Sequence, residues 1–324
     1  MSGDSGVSGD TGVSGDAGIR GAVDLQVNGY GGIDFNSDGL SGEALAAVCR
    51  LLRKDGVASF LPTVITDDLS SMINRIRRIA TAVESNAEIA EMVGGIHVEG
   101  PFISPVAGFV GAHPAECVRD ATVDRAMRLI DAGCGLVRLF TLAPEVPGSL
   151  EVIQHLTEQK VVVAAGHSDA SIEQLRAAID SGLQMFTHLG NGCPGQMHRH
   201  DNIIQRVLSL SDQLKISFIA DGHHVPWYAL ANYLRCVPDD NIVIVTDAIS
   251  AAGLGPGRHR LAGQVVEVDH DLAAWAEGRE HFAGCATTMP QMAQMLAREL
   301  GISSEQLDQW MRVNPATLLQ PSLS

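Results

Sequence analysis

From residue 23 onward, short apolar runs alternate with longer stretches in which apolar residues recur at helical spacing. Strands are predicted at 23–27 (VDLQV), 57–65 (VASFLPTVI), 92–100 (MVGGIHVEG), 136–141, 161–165, a short run ending at His188, 215–221 (KISFIAD) and 241–247 (NIVIVTD). Between them lie predicted helices at 40–54, where Leu45, Val48, Leu51 and Leu52 share a face, from Asp68 to about residue 83, up to 131, and near 150–158. Two terminal helices follow at 289–300 and 304–311. The strand runs are continuously apolar rather than alternating, which is how a parallel sheet covered on both faces reads. Eight strand–helix units predict an α/β chain folded as a (β/α)8 TIM barrel. A doubly wound open sheet is the alternative, but no GxGxxG follows the first strand.

The stretch 161–192, VVVAAGHSDASIEQLRAAIDSGLQMFTHLGNG, carries this pattern into chemistry. Two strands joined by one crossover helix put His167 and His188 at the same end of the sheet, the end where such folds keep their active sites. Two imidazoles on one rim suit a metal site, although strand-end histidines can also simply bond to neighbouring loops. The remaining strand ends add Gln26 and Asn28, His97 and Glu99, Asn191, Asp221 and His224, and Asp247. Glu99, His167, His188 and Asp247 are enough for one divalent ion, an open position for water and a carboxylate base. Each has a plainer reading as well. Glu99 could cap a Gly-Pro loop, and Asp247 could cap a helix. His97 points to the same side of its strand as Glu99, as a second ligand or, as expected here, a supporting residue. At most one of His223 and His224 faces the site. His113, in GAHP, is a lid residue or a solvated loop histidine, and Arg199, between His198 and His200, is a basic site group or a solvated one.

Composition narrows the partners. The 324 residues are 45% hydrophobic with a mean hydropathy of +0.11, enough for a sizeable core. No apolar run reaches the ~20 residues of a membrane span, and no signal-peptide pattern opens the sequence, so a cytoplasmic protein is expected. A net charge of −16 opposes nucleic acid and anionic membrane surfaces as partners. An anionic small substrate would need a local basic group. The six cysteines include no CxxC pair, which argues against a disulfide framework and against a Cys-ligated zinc site. Residues 1–21 repeat SGDSG, VSGDTG and VSGDAG, a composition that cannot offset the entropy of ordering. They are expected to be a disordered leader, or sequence upstream of the true start, before a catalytic domain of residues 22–324.

The motifs DLQVNGYGGIDF, HVEGPF, GAHP, GHSDAS, THLGNG, IADGHHV, VTDA, AGCATTM and NPA appear in that order. Over about residues 23–319 the chain thereby resembles the N-acetylglucosamine-6-phosphate deacetylase family of the amidohydrolase superfamily. The resemblance implies that Glu99, His167 and His188 bind one divalent ion per subunit, Zn²⁺ or Fe²⁺. It implies Asp247 as the general acid/base, taking a proton from the nucleophilic water and later protonating the leaving amine. His113 and His224 would contact the sugar and the acetamido carbonyl, and His224 could donate to the developing oxyanion. Asn191, the backbone at Gly192 and Arg199 would hold the phosphate, with the arginine and one histidine presented across a homodimer interface. Many amidohydrolases carry an HxH pair on the first strand for a second ion. Gln26 and Asn28 hold those positions here and are poor zinc ligands, so a mononuclear site is expected. Lys160 begins its strand rather than ending it, which leaves no lysine for a bridging carbamate.

The implied reaction is hydrolysis of the acetamido group of N-acetylglucosamine-6-phosphate to glucosamine-6-phosphate and acetate. Departures from the family pattern keep other readings open. The small β-sandwich that usually flanks the barrel is expected to be missing or much reduced, and 255–284, longer and more charged than usual, could stand in for it. Gly190 and Gly192 replace a bulky residue and an alanine, which would widen the pocket. An amidohydrolase acting on another N-acyl sugar, such as N-acetylgalactosamine-6-phosphate, is the alternative. A non-catalytic barrel subunit is a third, opposed by the retained ligand set and Asp247.

Overall fold

Eight parallel strands form one sheet in chain order. They are β1 (Ala22–Val27), β2 (Val57–Ile65), β3 (Ile96–Glu99), β4 (Val137–Leu142), β5 (Val162–Ala165), β6 (Met185–Phe186), β7 (Lys215–Ile219) and β8 (Ile242–Val245). The computed structural model describes residues 20–261, 264–277 and 282–320. All but Arg20 and Gly21 of the predicted leader therefore lie outside the described residues. Every residue of β1, β3, β5 and β8 is buried, as the continuous apolar runs require. No helix among the described residues is long and apolar enough to cross a membrane.

Local chemistry sets the element boundaries. The helix Gly42–Lys54 starts where the Ser41 side chain accepts from the Ala44 N–H, and Val123–Ala132 starts where Thr122 does the same for Arg125. The crossover helix Ile172–Asp180 opens with a reciprocal capping box between Ser171 and Gln174. The third predicted strand begins four residues late, because Asn86 caps a short helix, Ala87–Met92, in front of it. The predicted terminal helix 304–311 also differs. It runs as Ser304–Asp308, widens into a π turn over Gln309–Val313 and resumes as Asn314–Leu319. Pro315 lacks the N–H that an α-helical turn needs there, and the Asn314 side chain instead donates to the Asp239 and Ile242 carbonyls at 2.8 and 2.6 Å.

After β8, four strands form a second sheet, an antiparallel meander of β9 (Gly257–Leu261), β10 (Gln264–Val268), β11 (Ala273–Ala276) and β12 (Phe282–Cys285). Val266, Val268 and Ala274 pack with Ala251 and Ala286 in a small apolar cluster of their own. A bridge between Ala248 and Cys285 ties the meander to the end of β8.

The seam between β8 and β1 is closed differently from the other strand pairs. Among the described residues one bridge joins them, Val27 with Ala248. The Asn28 and Gly29 N–H groups both donate to the Ala248 carbonyl, at 2.8 and 3.0 Å. Earlier along the seam the buried Asp24 carboxylate stands in for a strand partner, accepting from the Thr246 N–H (3.2 Å) and hydroxyl (2.6 Å). Burial pushes the Asp24 carboxyl up to about 7 from 3.8, against the lowering effect of its Thr246 and Gln26 hydrogen bonds. The folded state thus holds a proton up to about pH 7 that an unfolded Asp releases near 3.8. The stabilisation from that proton is complete below the lower value and is lost as pH rises to the upper one. Asp24→Asn should therefore gain stability relative to the parent between pH 5 and pH 8 in urea titrations, and a constant difference across that range would contradict the assignment. Asp24→Ala, which leaves the Thr246 N–H unpaired, should cost about 1–3 kcal/mol.

Candidate active site

The strand register brings polar residues to one rim. Ile65 pairs with Glu99 and Glu99 with Thr141, while Leu142 pairs with Ala165 and Ala165 with Phe186. The chain then turns sharply just past the strand ends. His167, His188 and Asp247 all have positive φ, at 52°, 33° and 49°. Left-handed backbone at a non-glycine residue costs on the order of 1–3 kcal/mol and persists only where the surroundings enforce it. Three such residues, each ending a different barrel strand, mark this rim as a site built for something other than stability. Glycines make room for the turns. A Cβ on Gly192 or on Gly111, both with positive φ, would stand about 3 Å from the His167 ring.

Glu99 is the focus of the rim. Its Oε1 lies 2.9 Å from His188 Nε2, 3.3 Å from His167 Nε2 and 3.1 Å from Gln26 Nε2, which donates to it. His167 Nδ1 donates to the Phe109 carbonyl at 2.8 Å, since a carbonyl can only accept. Nε2 is then the ring atom left facing the carboxylate oxygen, the arrangement of a metal-ligating histidine whose other nitrogen is held by a carbonyl. His113 stands on the other side, with Nε2 3.2 Å from His167 Nε2. Glu99, His113 and His167 each offer a ligand atom within 4.8 Å of the others, and His188 joins through Glu99. The Nδ1 atoms of His113 and His188 are buried without a hydrogen-bond partner. Two imidazoles and a carboxylate thus fit a divalent ion.

The charges are arranged accordingly. Burial works to raise the Glu99 carboxyl, but the hydrogen bonds and charges of His167 and His188 hold it well below the usual carboxylate value. His188 is opposed by burial yet lifted above its ordinary value by Glu99. Burial drives His113 down to about 3 and His97 down to about 4, so both are neutral. His97 bonds to Thr141 Oγ1 at 2.8 Å and to Thr63 Oγ1 at 3.4 Å. It is a hydrogen-bonded residue of the barrel interior.

Asp247 is half-buried at the rim, and desolvation together with the Glu99 charge raises its carboxyl above the ordinary value. Asn28 Nδ2 donates to its Oδ1 at 2.7 Å. On the neighbouring strand end, Asp221 Oδ1 accepts from the backbone N–H groups of His223 and His224, while Oδ2 meets His224 Nδ1 at 2.6 Å. Burial opposes a charged His224, but Asp221 raises its pKa above the ordinary value. The adjacent His223 turns the other way, with Nε2 2.8 Å from the Asp271 carbonyl of the meander.

The loop after β6 carries Asn191, Gly192 and Arg199. Asn191 N–H closes a tight turn onto the His188 carbonyl at 2.9 Å. Further on, His198 Nδ1 accepts from the Asp201 N–H at 2.9 Å, folding the loop around His198 and leaving Arg199 exposed. Arg206 ties this loop to the one after β5 by pairing with Asp201 (2.6 Å) and Asp169 (3.0 Å).

None of the known protein-family models matches the chain. Individual relatives do. The chain is 36% identical over 308 residues to an N-acetylglucosamine-6-phosphate deacetylase of Bos taurus, covering 92% of this chain and 73% of that protein. The chain belongs to the N-acetylglucosamine-6-phosphate deacetylase family. An N-acetylgalactosamine-6-phosphate deacetylase of Escherichia coli O157:H7 is 31% identical over 297 residues, 92% of this chain and 76% of its own length. The fold superposes on a Mycobacterium smegmatis N-acetyl-D-glucosamine-6-phosphate deacetylase variant in complex with N-acetyl-D-glucosamine-6-phosphate, with a TM-score of 0.79 at 29% identity, over 93% of this chain and 77% of that one.

In sequence, Gln26 and Asn28 of this deacetylase family member are only residues too neutral to bind a second ion. The structure gives them positive work, because Gln26 holds Glu99 and Asn28 holds Asp247. Thr187 in turn donates to Gln26 Oε1 at 2.8 Å, and Ser217 Oγ accepts from the His188 N–H at 2.7 Å. Only the position of Gln26 and Asn28 at a strand end hinted at this. Gly111→Ala would force a methyl group to 3.0 Å from the His167 ring at a φ of +59°. It should weaken divalent-ion binding by roughly ten-fold, as losing a supporting residue does, in an equilibrium competition with a chelator. Unchanged affinity would mean that the ring position does not govern the site.

Proposed function

We propose that the protein hydrolyses the acetamido group of N-acetylglucosamine-6-phosphate, releasing acetate and glucosamine-6-phosphate. The observation that carries this reading is the convergence of His167 and His188 on Glu99, with Asp247 completing the rim, in a chain of this family. Glu99, His167 and His188 would hold the ion. Nitrogen and oxygen donors suit Zn²⁺ first and Fe²⁺ second. A divalent ion there lowers the pKa of water toward ~7 and polarises an amide carbonyl, a poor electrophile by itself.

The chain's own groups supply the rest. Asp247, oriented by Asn28, takes the proton of the attacking water and returns it to the amine as the C–N bond breaks. His224, fixed by Asp221, donates to the oxygen on which negative charge develops. His113 closes over the sugar. Arg199, with Asn191 and the Gly192 backbone, receives the phosphate and so answers the repulsion that a net charge of −16 exerts on an anionic substrate. The exposure of Arg199 supports its presentation to the neighbouring subunit of a homodimer. We place this enzyme in the cytoplasm, with no nucleic-acid or membrane partner.

The kinship with a galactosamine-6-phosphate deacetylase makes the epimer the second candidate substrate. Comparing kcat/KM for N-acetylglucosamine-6-phosphate, its galactosamine isomer and the unphosphorylated sugar decides among them. The phosphorylated glucosamine compound should be best, and a higher value for the unphosphorylated sugar would overturn the reading. Arg199→Ala should raise KM for the phosphorylated substrate about 10- to 100-fold, the worth of one or two charge-assisted hydrogen bonds, with little change for the unphosphorylated sugar. Asn28 lowers the Asp247 pKa by donating to it. Asn28→Ala should therefore move the acid limb of the kcat/KM profile to higher pH, because protonated Asp247 cannot accept the water proton. A limb that stays in place or moves to lower pH would remove Asp247 from the role of base.

A further inference from the structure

The geometry points to a second ion site, formed by Asp221, His224 and Cys285, that takes a thiophilic divalent cation such as Zn²⁺, Cd²⁺ or Co²⁺. The three residues come from two separate segments, the loop after β7 and the end of β12. Each offers one ligand atom, and the three atoms lie within 4.8 Å of one another. Among the described residues, this and the Glu99 group are the clusters with such spacing. Asp221 is 4% exposed and Cys285 1%, so an ion here would be bound inside the protein.

The site is preorganised. The backbone N–H groups of His223 and His224 hold Asp221 Oδ1 at 2.9 and 3.0 Å, which aims Oδ2 at His224 Nδ1. The Cys285 backbone is pinned by its bridge to Ala248 and by the Ile249 N–H, which donates to its carbonyl at 3.0 Å. The Cys285 thiol donates to the Thr287 carbonyl at 3.7 Å and lies within 4.8 Å of the Asp221 and His224 ligand atoms. One sulfur, one nitrogen and one oxygen donor leave a fourth position open, the pattern of zinc rather than of magnesium or calcium, which avoid sulfur.

Binding balances charge and protons. Without an ion, burial and the Asp221 and Asp247 charges keep the Cys285 thiol protonated. On binding, the thiol proton and the His224 Nδ1 proton leave to solvent, and the imidazole ligates as its Nε2–H tautomer. Thiolate and carboxylate then neutralise the two charges of the ion, so no unpaired charge is buried. The ion takes the place of the hydrogen between Asp221 and His224, whose atoms stand 2.6 Å apart, so the His224 ring is moved from the position in which Asp221 fixes it. Slowed turnover follows from that displacement. This consequence rests on the role given to His224 above, whereas the binding does not.

The test uses the full chain already loaded with its activating ion and titrated with Co²⁺ and Cd²⁺. Wild type should bind about one further ion per chain and develop sulfur-to-metal charge-transfer absorption in the near ultraviolet. Cys285→Ala and Cys285→Ser should lose both signals, and Glu99→Gln should keep the absorption. No absorption in wild type, or absorption that survives Cys285→Ala, overturns the site, because the other cysteines would then be its source. His224→Gln, a loop substitution outside every strand ladder, guards against a folding failure of the cysteine variants. It should weaken the second ion at least ten-fold, and unchanged affinity counts against the site. In activity assays Cd²⁺ should slow wild type about ten-fold more than Cys285→Ala. Binding without that difference would keep the site and refute the role given to His224.

Discussion

Glu99 is sealed in the barrel at 2% exposure, and an ionised carboxylate in such a place has to be matched by donors or cations. Three nitrogens converge on its Oε1, from Gln26, His167 and His188, and the His167 ring is oriented by the donation of its Nδ1 to the Phe109 carbonyl. The upper half of the barrel is organised to satisfy this demand. Gln26 comes from β1, His167 from the end of β5 and His188 from the end of β6, so the sheet must close for the carboxylate to be neutralised. The strain at His167 and His188 is what it takes to bring imidazoles back over the rim.

The interior beneath the site is correspondingly polar. TIM barrels are usually filled with layers of branched apolar side chains, whereas this one carries Asp24, Gln26, Thr63, His97, Thr141, Thr187, Ser217 and Thr246, all buried. Thr63 and Thr141 satisfy His97, Thr187 satisfies Gln26, and Thr246 satisfies Asp24. A network of this kind is stable only when its members are paired. It couples the strand interiors to the polar rim, since Gln26 belongs to both.

Much of the site could be read in the sequence because strand ends are read easily. Continuous apolar runs fix where a buried strand stops, and the polar residue after each stop is then a candidate. Glu99, His167, His188 and Asp247 are candidates on that ground. Gln26 and Asn28 occupied the same kind of position, but a neutral amide advertises no chemistry until its partner is known. Asp221 and Cys285 lie 64 positions apart in the chain, and the absence of a CxxC pair argued against a thiolate ligand. Spacing rules detect ligands that share one loop, and these two come from a barrel loop and an accessory sheet.

The amino-acid sequence by itself determined the eight strand–helix units, the end of the sheet that carries chemistry and most of the residues there, because apolar periodicity and capping side chains act over a few residues. Only the tertiary structure decided which side chains meet. It turned His113 from a loop histidine into a buried neighbour of His167, closed the β8–β1 seam through Asp24 instead of a full ladder, and set the meander's Cys285 beside Asp221 and His224. Those outcomes depend on distances between segments far apart in the chain, set by strand register and backbone turns that local pattern does not encode.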